Sequence, residues 1–191
     1  MTIATPTKFQ LQLKGVIRDG IELLNAGKLV EALNHHLSIR SFFNEFEPEY
    51  LRHFLCNLGL VYYEMGEYQL AINYLMEALG LEPAQDHEHS DIAAINVNIA
   101  NVLLLLGRPD EAHTFLVQPE EYFISAYDSE KHGEVLETRA RAFLMEGKNA
   151  LALTAARIAV NLLLEYCEDS RPTGRAIRTL AACWEAKRET A

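Results

Sequence analysis

The chain has 191 residues and a formal net charge of −10, from 17 Lys and Arg against 27 Asp and Glu. This acidic balance argues against nucleic acid as a main ligand, because phosphate binding needs a basic surface. The length favours one domain, and 49% hydrophobic with 23% charged residues is typical of a soluble globular protein.

Apolar residues recur with helical spacing along most of the chain and predict nine helices, after an N-terminus at residues 1–7 that we expect to be disordered. The first eight helices form pairs, at 8–26 with 28–44, 48–65 with 67–80, 89–106 with 108–117, and 131–146 with 148–167. The ninth, at 172–188, has no partner after it and is predicted to cap the last repeat.

Two loops depart from this regular alternation of helices. The first, at residues 82–91, is acidic and rich in His, and we expect it to lengthen the link between the second and third pairs. The second, at residues 117–130, carries Pro119, which cannot donate a helical hydrogen bond. The sequence therefore predicts that the second helix of the third pair is interrupted there, or restarts after a kink.

One glycine recurs at the middle of every pair. Gly27, Gly66, Gly107 and Gly147 are separated by 39, 41 and 40 residues. Glycine accepts the left-handed backbone conformation that ends a helix, so each is predicted to be the turn of a helical hairpin. An alanine follows each glycine by five residues, where two helices cross closely and a larger side chain would separate them. These alanines are Ala32, Ala71, Ala112 and Ala152.

Two further positions complete the repeat. A small residue precedes each glycine by seven positions, namely Gly20, Gly59, Ala100 and Ala140. A large residue precedes it by four, namely Leu23, Tyr62, Leu103 and Phe143. This pattern resembles the tetratricopeptide repeat (TPR) family. Three residues depart from the family signature, since Pro109 replaces the usual aromatic residue, Arg139 stands where leucine is expected and His36 stands where an aromatic residue is usual.

The resemblance implies an all-α fold, a right-handed α-solenoid of four TPR-like helical hairpins with a C-terminal capping helix. It implies one superhelical domain over residues 8–188, with repeats at about 13–46, 52–85, 93–126 and 133–166. The family's common unit has about 34 residues. The longer period here is similar to that of kinesin light chain, LGN/Pins, MalT and Rap-like proteins.

In this family the first helix of each hairpin lines a concave groove that binds partners. Counted from the hinge glycines, the groove positions of the first two repeats are Lys14, Ile17, Arg18, Ile21, Leu24, His53, Cys56, Asn57, Leu60 and Tyr63. Those of the last two repeats are Ala94, Val97, Asn98, Asn101, Leu104, Glu134, Glu137, Thr138, Arg141 and Leu144. The amides of Asn57, Asn98 and Asn101 suit a peptide main chain, since each offers a donor and an acceptor. Equally, they suit a bridge between neighbouring helices of the scaffold.

The next question is whether the sequence contains a catalytic or metal-binding motif. The sequence has no GxSxG, P-loop, GxGxxG or HExxH motif, so we expect no enzyme activity and no cofactor. His87 and His89 flank Glu88 in the acidic loop and could be read as metal ligands. A closed metal site needs a further well-placed ligand, so we interpret them as solvated and predict no metal.

Three widely spaced cysteines, with no CxxC motif, indicate free thiols in a reducing compartment. The N-terminus lacks the apolar run of a signal peptide, and the longest central apolar stretch is too short to span a bilayer. We therefore expect a cytoplasmic protein that acts as a scaffold for another protein or a peptide, without membrane or nucleic-acid binding. Two alternatives are a sensor module for a small signal or peptide, and a structural homodimer.

Overall fold

A computed structural model describes residues 8–40, 48–81, 88–166 and 170–189 of the chain, and they are all-α, without a strand. The described residues form ten helices. These are α1 (Lys8–Asn25), α2 (Leu29–Ile39), α3 (Pro48–Glu64), α4 (Tyr68–Leu79), α5 (Glu88–Leu105), α6 (Pro109–Phe115), α7 (Val117–Ser125), α8 (Ser129–Met145), α9 (Asn149–Tyr166) and α10 (Arg171–Glu189).

The predicted helix pairs and the last helix are confirmed, with bounds that differ by one to two residues where both ends are described. The helix count is higher than predicted because the second helix of the third pair is two helices, α6 and α7. The expected disorder at 1–7 and the repeat ends near 41–46 and 82–85 lie outside the described residues.

The break between α6 and α7 is stabilised by an unusual residue of the repeat. Pro119 lies in the first turn of α7 and has no N–H to continue the hydrogen-bond ladder of α6. Arg139, at the position where leucine was expected, donates from Nη2 to the carbonyl of Leu116 at 3.1 Å. The same Nη2 lies 2.6 Å from Glu120 Oε2. Arg139 therefore binds the carbonyl at the break and holds α7 against α8.

The four predicted hinge glycines all adopt the left-handed conformation, with φ of 71°, 81°, 74° and 71° in chain order. At Gly66, the glycine N–H donates to Tyr63 O at 3.0 Å and the next N–H donates to Tyr62 O at 2.9 Å. The same two bonds recur at the other three glycines. They satisfy carbonyls at the end of the first helix, so the chain reverses without unpaired backbone groups.

Close helix crossings follow each hinge, as predicted. The four alanines five residues after the glycines are completely buried. The small residues on the facing helices also leave no room for a larger side chain. A Cβ added to Gly59 would lie 2.9 Å from Leu75 Cγ and 3.2 Å from Ala71 O, and one added to Gly20 would lie 2.3 Å from His36 Cε1. The spacing of small residues therefore sets the distance between the helices of each hairpin.

The chain divides into two compact units, residues 1–88 and 89–191. In the first unit, the described core lies mainly between α3 and α4 and is formed by Phe54, Leu58, Val61, Leu75 and Ala78. In the second unit, two clusters lie among α8, α9 and α10, around Ala140, Ala156 and Cys183 and around Leu136, Leu163 and Ala176. Helix α10 thus packs on the last hairpin.

Candidate functional site

The predicted groove residues of the first unit lie on α1 and α3, and their accessibility differs. Lys14 and Arg18 are exposed, and Lys14 Nζ lies 5.9 Å from the centre of the Tyr50 ring. Ile17 is buried. The remaining positions are half-buried, apart from Asn57, and are Ile21, Leu24, His53, Cys56, Leu60 and Tyr63. The first unit therefore offers a partly apolar face with two cations at one end.

Asn57 is the exception on this face. Its side chain is 9% exposed, and its Nδ2 is buried with no hydrogen-bond partner among the described residues. A donor that is shielded from solvent in this way cannot reach an outside partner in this arrangement. Asn57 is thus not part of the accessible surface of the first unit.

In the second unit, four predicted residues meet at a small open cavity. The cavity has a volume of about 150 Å³ and is lined by Ala94, Val97, Asn98, Phe123, Lys131 and Glu134. We call it the Asn98 cavity. Helix α5 supplies the first three residues, α7 supplies Phe123 and α8 supplies the charged pair. The site thus combines a small apolar floor with an amide and both signs of charge.

The charged pair of this cavity is a stable ion pair. Lys131 Nζ donates to Glu134 Oε1 at 2.7 Å. Desolvation by burial works against the charged ammonium group, but the hydrogen bond to Glu134 and the neighbouring carboxylates outweigh it and raise the pKa of Lys131. Lys131 therefore stays charged at neutral pH and forms an ion pair with Glu134 beside the Asn98 amide.

Other predicted groove residues of this unit belong to a buried polar network instead. Asn101 Oδ1 accepts from Arg141 Nη1 at 2.9 Å and from Thr138 Oγ1 at 3.4 Å, so this asparagine bridges α5 and α8. Glu137 is 0% exposed and accepts from Arg175 Nε at 2.7 Å and Thr179 Oγ1 at 2.8 Å on α10. These side chains hold helices together and are not available to a partner.

The remaining predicted positions of the second unit, Leu104 and Leu144, do not line the cavity. Leu104 is buried, and Leu144 is half-buried against the core cluster of the last hairpin. Sequence reasoning missed Phe123 and Lys131 in the cavity, and it missed Arg175 and Thr179 in the network. Pro119 could have indicated the position of Phe123. A helix that restarts at this proline presents a different face, and Phe123 on that face lines the cavity with residues of α5 and α8.

The described residues also bear on metal binding and on membrane crossing. Within the described ranges, no group of three or more His, Cys, Asp or Glu side chains is placed to hold a metal ion. His87 lies outside them, so the prediction for the His87–His89 pair stays a prediction. No described helix combines the length and apolar character that a bilayer crossing requires.

The decisive comparison is with the family models. Residues 50–118 match the tetratricopeptide repeat model, over the hairpin of α3 and α4 and the helices that follow. Residues 50–118 are thus similar to tetratricopeptide repeats. The same hinge geometry at Gly27 and Gly147 extends the TPR pattern to the hairpins on either side of the matched residues.

Related proteins share this repeat architecture. Photosystem I assembly protein Ycf3 of Synechococcus elongatus is 28% identical over 109 residues, which is 57% of this chain and 62% of the relative. Among solved structures, a kinesin light chain-type protein of Podosopora anserina with nearly identical TPR-like repeats has a TM-score of 0.74 at 17% identity. That match covers 93% of this chain and 87% of the other.

A second solved structure is PlcR of Bacillus thuringiensis in complex with the peptide PapR7 and DNA. It has a TM-score of 0.69 at 16% identity, covering 96% of this chain and 69% of PlcR. At such identities the likeness shows the fold, and the fold is that of TPR proteins.

Proposed function

We propose that this TPR protein is a non-enzymatic scaffold that binds a peptide or helix of another protein along the first helices of its hairpins. The observation that carries the proposal is the Asn98 cavity, where the TPR register and the structure bring together an amide, an apolar floor and an ion pair. A main-chain amide of a partner fits this chemistry, because Asn98 can donate and accept at once.

Two features support a peptide rather than a small substrate. The cavity of about 150 Å³ is smaller than the usual pocket for a small molecule, about 300–1,000 Å³. It suits one side chain or a backbone turn of a longer ligand. In the first unit the half-buried residues Ile21, Leu60 and Tyr63 supply apolar area of the kind that anchors a peptide.

The experiment starts with affinity capture of partners on the immobilised chain, followed by calorimetric titration with the segment that binds. Replacing Asn98 by Ala should weaken that binding by about 1–3 kcal/mol, because polar groups of the partner lose their mates. The control is Asn161→Ala, which removes the same amide from the exposed face of α9 and should leave binding unchanged.

A second control separates binding from folding. Asn101→Ala removes the acceptor of Arg141 and Thr138, so it should lower stability more than Asn98→Ala does. If Asn98→Ala instead lowers stability as much as Asn101→Ala and leaves the affinity intact, the Asn98 amide is structural. The proposal that it reads a peptide main chain would then be wrong.

A peptide-sensing regulatory module is the second candidate, favoured by the likeness to PlcR, whose structure contains the peptide PapR7. In that case the binding of a short free peptide, rather than a segment of a folded partner, would change the arrangement of the hairpins. A role in assembly, as the name of Ycf3 describes for that protein, is a scaffold function of the first kind.

The same proposal includes a cytoplasmic location, with neither nucleic acid nor membrane as a ligand. A homodimer is the third possibility, and light scattering on a sizing column distinguishes it by mass. A monomer of 21.6 kDa would exclude it under the conditions used.

A further inference from the structure

The turn between α7 and α8 has a residue that no other hinge uses. Tyr127 has φ 56° and is the non-glycine residue with positive φ among those described. Its N–H donates to Ile124 O at 3.2 Å and the Asp128 N–H donates to Phe123 O at 2.9 Å, which is the bond pattern of the glycine hinges. This turn is therefore a hinge of the same geometry in which tyrosine replaces glycine.

Tyrosine is an unfavourable choice for this backbone conformation. The left-handed region is strained for bulky side chains, and glycine would remove the strain. Packing does not explain the choice, because Tyr127 is 92% exposed. A large aromatic ring that is exposed to solvent at a strained position is accessible to a partner. We take this as evidence that the ring takes part in binding.

The ring lines an open cavity with a second exposed tyrosine. The cavity has a volume of about 450 Å³ and is lined by Ala126, Tyr127, Asp128, Ser129, Glu130 and Tyr166. We call it the tyrosine cavity. Tyr166, the last residue of α9, is 57% exposed. The lining includes two aromatic rings and two carboxylates and no basic side chain.

The electrostatic environment of the tyrosine cavity is negative. Asp128 uses Oδ1 to accept from the Lys131 N–H at 2.9 Å, which caps α8 and leaves its other oxygen available. Lys131 does not line the cavity and donates to Glu134 at 2.7 Å, and the charges of Asp128 and Glu130 also act on its ammonium group. Helices α7 and α9 end at the cavity and α8 begins there. The helix dipoles therefore place two negative partial charges and one positive partial charge at the cavity. The surroundings favour a cation.

We propose that the tyrosine cavity binds an arginine side chain of a partner protein. A guanidinium group can stack on a tyrosine ring while it pairs with a carboxylate, and Arg is the cation that most often does so. The chain already contains an arginine beside a tyrosine ring. Arg40 lies 5.6 Å from the centre of the Tyr74 ring, which stacks on Tyr62 at 5.4 Å, and its Nη1 donates to the Tyr74 hydroxyl at 3.2 Å. The tyrosine cavity presents the same ring type with carboxylates beside it.

This site shares no lining residue with the Asn98 cavity, so the two proposals can fail separately. The test is an NMR titration of the isotope-labelled full chain with the pentapeptide acetyl-Gly-Ser-Arg-Ser-Gly-amide. The control peptide has citrulline in place of arginine, which keeps the shape and removes the charge. We expect saturable shifts at the amides of residues 126–130 and 166 with the arginine peptide only. Equal binding of the citrulline peptide, or shifts scattered over the acidic surface without saturation there, would overturn the proposal.

Three variants of Tyr127 separate the ring from the backbone strain. Tyr127→Phe keeps the ring and should bind within about threefold of the parent chain, since a cation interacts with both rings. Tyr127→Ala and Tyr127→Gly both remove the ring and should weaken peptide binding by at least tenfold. Only glycine relieves the strained φ, so the melting temperature of Tyr127→Gly should exceed that of Tyr127→Ala, although glycine increases the freedom of the unfolded chain.

These results bear on the proposal in both directions. A gain in melting temperature together with a loss of binding shows that the chain retains the tyrosine for its ring at the expense of stability. If Tyr127→Gly binds the arginine peptide as tightly as the parent chain, the ring is not a binding group and the proposal is wrong. If Tyr127→Ala is at least as stable as Tyr127→Gly, the argument from strain is wrong.

Discussion

Glu137 gives the sharpest test of what holds α10 on the last hairpin. Its carboxylate is 0% exposed and accepts from Arg175 at 2.7 Å and from Thr179 at 2.8 Å. Arg141 Nη1 lies 3.7 Å away and carries the network to Asn101. Glu137→Gln keeps the shape and one acceptor oxygen but removes the charge, so the half-buried guanidinium groups of Arg175 and Arg141 lose this carboxylate, while Glu134 stays 3.9 Å from Arg175.

The expected cost follows from these contacts. A hydrogen bond to a charged group contributes about 1.5–3 kcal/mol, and a neutral one contributes about 1 kcal/mol. The bond from Thr179 survives with the neutral amide, while the bond from Arg175 is lost or weakened. Because the Arg175 side chain is 35% exposed and can hydrate, the full penalty of breaking a buried ion pair does not apply. We expect a loss of about 2 kcal/mol, which lowers the melting temperature by about 4–8 °C in a chain of this size.

Urea unfolding followed by circular dichroism measures this loss, and hydrogen exchange shows whether α10 loses its protection first. The matched control is Glu111→Gln, which removes the partner of Arg108, an ion pair of 2.6 Å on the exposed surface. This control should leave the midpoint within error, because exposed pairs contribute little. A Glu137→Gln midpoint equal to that of the control would refute the conclusion that the carboxylate anchors α10.

Two further predictions concern the hairpins of the first unit. Ala71→Leu should lower the free energy of unfolding by about 1–3 kcal/mol in the same urea assay, because Ala71 is completely buried at the crossing with Gly59. The control Ala182→Leu, on the exposed face of α10, should leave the free energy of unfolding unchanged. His36 is buried and donates from Nδ1 to Ala32 O at 2.8 Å. Desolvation lowers its pKa below the ordinary 6.5, so the unfolded chain takes up a proton more readily. Its contribution to stability is present above pH 6.5 and is lost as the pH falls through the lowered pKa. His36→Phe should remove this part of the acid sensitivity, and an unchanged pH profile would contradict it.

The hairpins were predictable from the sequence because a small number of residues control them. A turn with positive φ needs glycine, and a close crossing needs alanine or glycine. Both requirements are strict, so Gly66 and Ala71 predict their own conformation and burial. His36 shows how a small residue on one helix accommodates a large residue on the facing helix. It replaces the usual aromatic residue and still packs on Phe54, with ring centres 5.7 Å apart, because Gly20 opposite leaves room for its ring.

The site was less predictable, since the register along one helix tells which way a residue points but not what it meets. Asn98 and Asn101 have the same predicted face, yet one lines a cavity and the other bridges to Arg141 on α8. Glu137 has the phase of a groove residue, but it is completely buried and α10 supplies Arg175 as its partner. Such outcomes depend on contacts between residues about 40 positions apart, and no periodicity within a helix encodes them.

The hinge at Gly66 also has a consequence for handedness. Its φ of 81° is the mirror image of an ordinary backbone angle. A D-amino acid prefers positive φ for the reason that an L-amino acid avoids it. A chain assembled by chemical ligation with D-alanine at this position would therefore have an unstrained φ there, and the added methyl group would restrict the unfolded chain. The glycines Gly27, Gly66, Gly107 and Gly147 all have positive φ. Each of these four positions could therefore hold a D-amino acid in a chain that is otherwise made of L-amino acids.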